Sequence, residues 1–573
     1  MSLLDTASLI VTPNGYKEGK LYSVIPSDGS GDMSVVRATT ATRVNSAGLV
    51  ELVPYNLLRN SQDFTSVWAY DNNTPSANTI AAPDGTLTAD TIVNNNTNAF
   101  HRYYQGPLSN LGEPQTISFS VYLKYKDHQY TSFGVTDDSN YRSQVVVDLM
   151  NGTITENYKS SGLDTLTSTI TNVGNGWYRV TGTLTYATAL DGGNAYVLGM
   201  LLNQSTFATA GYVGSGTGIY IWGAQLVEGS TAKDYQKTET RLNIPRLDYS
   251  NGTCPSLLVE PQRTNLVFPS NDFSPWLLFN SATISTNTTI SPDGTQNADT
   301  LNFASSLASQ VYSNQGDGLN THTASVWAKS LTGKKFRIKL ANATTGGDDF
   351  SSDFTTTSEW QRFTFTTTSA LVHMAICNES AGGAGTIQIW GAQLEVGSYA
   401  TSNIPTTSAI VTRNADRINK TGISSLIGQT EGTIFLDFYY DLTNNTQASS
   451  ARFQLSDGST NKWILVSTPD AGTEAARFYV NNNGSDVSLF SATNLIAGRN
   501  KVAVGYKSGQ YVLYLNGVLS NSSTSSVVVP ATSRLDFSGN VPDDPTVVKS
   551  NFNAAAIWKT RLTNDQLATL TTL

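Results

Sequence analysis

Ile221-Trp222-Gly223-Ala224-Gln225-Leu226 and Ile389-Trp390-Gly391-Ala392-Gln393-Leu394 are one hexapeptide written twice in a single chain. The first follows a glycine-rich turn with Ile219-Tyr220 ahead of it, and the run is apolar throughout, as a strand covered on both faces would be. A strand that recurs verbatim points to a duplicated folding unit, whose other strands should recur in the flanking sequence.

The rest is present. Leu49-Val50-Glu51 recurs as Leu258-Val259-Glu260, Asn56-Leu57 as Asn265-Leu266, and Asp63-Phe64 as Asp272-Phe273. Pro83-Asp84-Gly85 recurs as Pro292-Asp293-Gly294, and Ala89-Asp90-Thr91 as Ala298-Asp299-Thr300. The offset is 209 each time (258 − 49). Further on, Ser120–Lys124 pairs with Ser325–Lys329, and Trp177 and Arg179 with Trp360 and Arg362. At the hexapeptide the offset has fallen to 168 (389 − 221), so the second copy is shorter by 41 residues (209 − 168). Strand motifs survive at both ends, which assigns the difference to loops or strand extensions.

Each copy reads as short strands between turn signals, for example Ile117-Ser118-Phe119-Ser120-Val121 with its apolar and polar alternation. After Asn414, Ile434, Leu436, Phe438 and Tyr440 fall on one face of a strand, and Tyr511–Leu515 runs into an Asn516-Gly517 hairpin turn. Thr563 and Gln566 form a capping box ahead of Leu567 and Leu570, so one short helix closes the chain. The expected fold is all-β: tandem antiparallel jelly-roll β-sandwiches with a short C-terminal helix. The expected organisation is an attachment arm at 1–48, repeat 1 at 49–240, a connector at 241–257, repeat 2 at 258–413 and a third sandwich at 414–573. The first 48 residues hold few large apolar side chains, which suits an arm docked on something else.

Composition narrows the function. Of 573 residues, 39% are hydrophobic and only 14% charged, with a net charge of -9. No dense Lys/Arg block is present, which argues against nucleic-acid binding. No apolar run is long enough to insert in a membrane, and the start of the chain lacks the basic and apolar pattern of a secretory signal. Cys254 and Cys377 stand far apart and outside any CxxC spacing, so two unpaired thiols are expected. His101, His128, His322 and His373 are scattered; HExxH, GxSxG and GxxxxGK[ST] patterns are missing, as are the closely spaced ExDxE acids of jelly-roll glucanases. No catalytic residue and no metal ligand is assigned.

Three segments carry a family resemblance. The Asn-Leu start, the Asp63-Phe64…Trp68 segment echoed at Asp272-Phe273…Trp276, and the closing hexapeptide resemble carbohydrate-binding modules of the jelly-roll type. Many such modules hold a structural calcium near that last strand. Here Trp222-Gly223 and Trp390-Gly391 stand in its place, so only the option of calcium is kept, with no cofactor assigned. The stretch Arg246–Tyr249 and Ser256–Leu266, with its echo Thr42–Asn45, resembles a connector of phage head-fibre and tail proteins. The region after Asn414, with Tyr514–Gly517 and the terminal Trp558…Leu562-Thr563…Gln566-Leu567, resembles laminin-G or concanavalin-A-like lectin domains.

A sugar's C–H face stacks on an exposed aromatic ring while its hydroxyls find nearby amides. Trp68, Tyr70 and Asn72 in repeat 1, Trp276 in repeat 2 and Trp463 in the third sandwich are candidates for that role, with core packing the competing one. Trp222, Trp390, Trp177 and Trp360, repeated in repeated strands, are expected in the core. Gly346–Phe350, with Asp348 and Asp349, reads as a solvated turn or a calcium loop. The resemblances imply a non-enzymatic virion structural protein, a phage head fibre or tail-associated fibre displaying glycan-binding sandwiches. Its partners would be other virion proteins through the arm, cell-surface glycans, and further copies of itself in a homo-oligomer, with a trimer expected. The alternatives are a bacterial surface or secreted adhesin, a glycan-degrading enzyme with ancillary modules, and a spacer without ligand.

Overall fold

A computed structural model describes residues 3–53, 56–106, 108, 115–136, 142–160, 165–186, 196–208, 210–229, 232, 234–238, 242–313, 321–341, 347–368, 373–440, 450–468, 474–537 and 547–573. The chain is all-β, with one α-helix among these residues, Asn564–Thr571. It divides into two units: Pro54–Arg241, and Met1–Val53 together with Leu242–Leu573.

The first unit is repeat 1, a sandwich of two six-stranded sheets. Phe119, Val121, Ile219 and Ile221 of one sheet meet Tyr103, Phe133, Val145 and Leu201 of the other in one core. Repeat 2 has the same layers in the second unit. The strands Thr153–Lys159 and Thr165–Gly174, one on an edge of each sheet of repeat 1, have no counterpart among the described residues of repeat 2. They supply a large part of the extra length in the first copy. The polar members of the alternating strands are not all solvated. Ser118 and Ser120 are fully buried, with Ser118 Oγ donating to Gly229 O at 2.8 Å.

The repeated motifs turn out to be framework. In the hexapeptide, Gly223 (φ 61°) and Gly391 (φ 64°) sit where the strand register slips against the neighbouring strand. That bulge needs a positive φ, and a Cβ would come within 3.0 Å of Tyr122 or 3.1 Å of Trp327. Asn56 Nδ2 donates to Ala224 O (2.8 Å) while its Oδ1 accepts from Leu226 N and Leu58 N. Asn265 makes the same set with Ala392, Leu394 and Val267. Asp90 accepts from Phe64 N and Asn78 N; Asp299 accepts from Phe273 N and Asn287 N. Each of these side chains satisfies backbone groups that the bulge and the Asp-Phe turn leave unpaired. Trp222, Trp177 and Trp390 are buried as expected, though in satellite clusters apart from the main core, and Trp360 is half-buried.

The N-terminal residues differ from the expected arm. Leu9–Lys17, Lys20–Ile25 and Met33–Val36 are strands of the third sandwich: Leu9 pairs with Ile557, and Val35 with Ile418. Leu9, Val11, Leu21, Met33 and Val35 belong to its core, while Leu4, Val24 and Val36 stay exposed. Thr42–Val44 and Val50–Leu52 form a hairpin on repeat 2, where Val50 N donates to Pro292 O at 2.9 Å. Arg246–Asp248 and Ser256–Val259, the expected connector, form another hairpin that pairs with Ser550–Trp558. The third sandwich closes around Ile434, Leu436, Phe438 and Tyr440, as the alternation predicts. Asn516 (φ 48°) and Gly517 (φ 87°) make its hairpin turn, and Thr563 and Gln566 cap the helix reciprocally.

A buried ionic hub fastens these pieces of the second unit. Arg37 Nη1 lies 2.6 Å from Asp416 Oδ1, and Arg246 bridges Asp416 and Glu260 (2.8 Å to the latter). Arg413 reaches the same Glu260 oxygen at 2.8 Å. Ser402 adds its N–H (2.9 Å) and hydroxyl (2.7 Å) to Glu260. All five charged side chains are at most 2% exposed. The arginines come from the segments preceding repeat 1, repeat 2 and the third sandwich, so every junction contributes one cation. Burial opposes ionisation of Glu260 and Asp416, but the surrounding guanidiniums outweigh it and hold both carboxyls below their ordinary values.

Candidate binding faces

On each sandwich, one sheet turns a pair of half-exposed aromatic rings away from the core. In repeat 1 the pair is Tyr104 and Tyr196, 6.0 Å apart and edge to face. Core residues Tyr103 and Val197 precede and follow them, so the period of two along the strands aims the pair outward. Beside it, Arg102 lies 3.8 Å from Asp71 on the facing strand and 4.2 Å over the Phe100 ring. Burial, with the Asp71 charge nearby, raises the Tyr104 phenol above its usual value.

In repeat 2 the structurally equivalent positions hold Tyr312 and His373, 5.4 Å apart. Val311 and Met374 are their core-facing neighbours. An ion pair again stands close: Lys339 Nζ to Asp348 Oδ2 at 3.2 Å. Phe350, 42% exposed, receives Arg337 at 4.4 Å and Lys339 at 6.0 Å. Burial and the Lys339 charge push His373 below the ordinary histidine value, so it is a neutral ring at neutral pH.

In the third sandwich the pair is Trp463 and Tyr479, 5.9 Å apart at 64°. Ile464 and Val480 alternate with them into the core. Arg477 lies 4.3 Å over Tyr479 and 5.2 Å from Phe490, which is 44% exposed. Each face therefore joins flat apolar rings to charged hydrogen-bonding groups, the two kinds of contact that a pyranose presents.

Of the five residues offered as sugar-binding candidates, Trp463 alone lies on such a face. Trp68 and Trp276 are each 5% exposed, stacked on Phe64 (4.6 Å) and Phe273 (4.9 Å) inside their cores. They offer no open ring to a ligand. Tyr70 also faces inward, its hydroxyl donating to Phe64 O. Asn72, at φ 57°, is a turn residue whose Nδ2 donates to Phe100 O at 2.9 Å. Tyr104, Tyr196, Tyr312 and His373 were missed because an outward aromatic and an inward one look alike until strand register is known. Asp348 is ion-paired and Asp349 accepts from Thr367 Oγ1 (2.5 Å); Gly346 lies outside the described residues. Among the described residues there is no group of three or more His, Cys, Asp or Glu able to hold a metal. Cys254 is an exposed free thiol and Cys377 a buried one, whose burial pushes it up to about 12.

No protein-family model and no characterised protein matches the chain. Among solved structures, the CBM40 module of the Ruminococcus gnavus IT-sialidase, bound to α2,3-sialyllactose, is 16% identical with a TM-score of 0.23. The match covers 26% of this chain and 86% of that one. Domain 4 of the extracellular arabinanase AbnA from Geobacillus stearothermophilus, with arabinotriose, is 16% identical over 28% of this chain and 73% of its own, TM-score 0.23. A heptameric SAP-like pentraxin from Limulus polyphemus is 12% identical over 24% and 69%, TM-score 0.20. Scores of this size leave function to be argued from the faces themselves.

Proposed function

We propose that this chain is a non-enzymatic glycan-binding display protein, carried as a fibre or decoration protein on a bacteriophage particle. The observation that carries the glycan part is the recurrence of an outward aromatic pair beside charged side chains on all three sandwiches. In the two repeats the pair occupies equivalent positions although its identity has changed from Tyr-Tyr to Tyr-His. Half-exposed rings on flat sheets make shallow sites of low individual affinity. Several per chain, multiplied by an oligomer, raise avidity without new contacts. The virion part rests on the resemblance of the Arg246–Leu266 connector to those of phage fibres.

Two experiments test the reading. Glycan-array binding by the full chain should be detectable for the multivalent protein and, for uncharged glycans, lost in the combined Tyr104→Ala, Tyr312→Ala and Trp463→Ala variant. Undiminished binding by that variant would remove the faces from the account. Immunogold electron microscopy against the third sandwich should label purified particles at head or tail; particles without gold would move the surface adhesin to first place.

A further inference from the structure

Within the second unit, a cavity of about 490 Å³ lies where the Arg246–Val259 hairpin, repeat 2 and the third sandwich meet. None of the outward aromatic pairs lines it. Trp327, Tyr439 and Tyr440 supply its rings, and Arg362, Lys549 and Asn551 are among its polar groups. The volume is in the range of pockets that enclose small ligands.

Its two carboxylates are already committed. Asp248 accepts from Val44 N (2.8 Å) and from Ser250 N (3.0 Å) and Oγ. Glu260 accepts from Ser402, Arg246 and Arg413. Arg362 is held in place by Nη1, which donates to Thr401 O, and by Nη2, which donates to Ser325 Oγ at 2.8 Å. Trp327 Nε1 and Arg362 Nε have no hydrogen-bond partner among the described residues but are shut away from the open space. The lining sets Arg362 and Lys549 against Asp248 and Glu260. Behind it stand Arg37, Arg246, Arg413 and Arg452, the last 5.5 Å from the Tyr440 ring, against Asp416 and Glu395. Among these groups cations outnumber anions, and the recess is lined by rings.

We infer that this cavity is a second saccharide site, distinct from the outward faces, and that it takes a carboxylate-bearing sugar. The rings would hold the C–H face of the pyranose, Asn551 a hydroxyl, and the Arg362 and Lys549 side the carboxylate, where a charged acceptor meets charged donors. The inference does not depend on the outward faces binding anything.

Isothermal titration calorimetry of the full chain with glucuronic acid, and with glucose as its neutral match, tests it. Glucuronic acid should saturate one site per chain at least tenfold more tightly than glucose. Lys549→Met should erase that preference, and Ser250→Trp, which plugs the cavity from an exposed lining position, should abolish binding of both sugars. In the combined Tyr104→Ala, Tyr312→Ala and Trp463→Ala variant, which lacks the outward rings, the tight site and its preference for glucuronic acid should persist, which separates this site from the faces. Equal affinity for the two sugars overturns the acidic class. No heat from either sugar, or binding that survives Ser250→Trp, overturns the site.

Discussion

Arg246 and Asp416 are ion-paired across 170 positions of sequence, with side-chain exposures of 0% and 1%. The pair joins the hairpin before repeat 2 to the segment that opens the third sandwich. Because water is excluded, removing one member strands the other as an uncompensated buried charge. Asp416→Asn should therefore lower the stability of the second unit by about 3–5 kcal/mol. Chemical denaturation, followed separately for the transition of repeat 1, should show that transition unmoved.

The same hub sets an acid limit. Asp416 and Glu260 titrate below their ordinary values of 3.8 and 4.5 in the folded chain. Their contribution is thus complete above those values and is lost as pH falls below them. Asp299 and Asp536, whose carboxyls burial raises, work in the opposite sense, while Asp28, Asp353 and Asp457 are lowered and act with the hub. The melting midpoint of the second unit should hold level from pH 8 to pH 7, decline modestly below 6.5 as His373 must take up a proton that its site disfavours, and fall steeply below about pH 4. A midpoint that rose on acidification would contradict the hub's role.

Gly223 and Gly391 should be irreplaceable, each in its own unit. An alanine at φ near +60° costs about 1–2 kcal/mol before any contact is counted. Here the new Cβ also presses on Tyr122 or Trp327. Gly223→Ala should lower only the transition of repeat 1 and Gly391→Ala only that of the second unit, as differential scanning calorimetry would resolve.

Trp68 and Trp463 should separate stability from binding. Trp68→Ala empties a core position and should cost about 3–5 kcal/mol, with glycan-array signal per folded molecule unchanged. Trp463→Ala should cost far less stability and reduce the signal. Urea titration and array binding on the same two variants check both halves.

The duplicated framework was legible because its residues are written twice, although Asn56 reaches Leu226 across 170 positions and Asn265 reaches Leu394 across 129. A bulge needs a glycine, the bulge's unpaired amides need Asn56 and Asn265, and the Asp-Phe turns need Asp90 and Asp299. The Asn516-Gly517 turn and the Thr563 cap were readable for a different reason: each is a contact between near neighbours in sequence. The candidate faces were not, apart from Trp463. Whether a tryptophan points into the core depends on the register of its strand against partners far along the chain.

What the sequence determined by itself was the all-β class, the duplication and its 209-residue offset, and the closing helix, since strand periodicity, turn chemistry and capping are short-range physics. What only the tertiary structure decided was where the long-range partners lie. The first residues complete the third sandwich rather than standing apart from it, because their sparse apolar side chains find a core only there. Arg37, Arg246 and Arg413 look like unremarkable linker residues in sequence. Burial beside Glu260 and Asp416 makes them the fastening of the second unit, because a charge removed from water must find its counter-charge wherever the fold brings one.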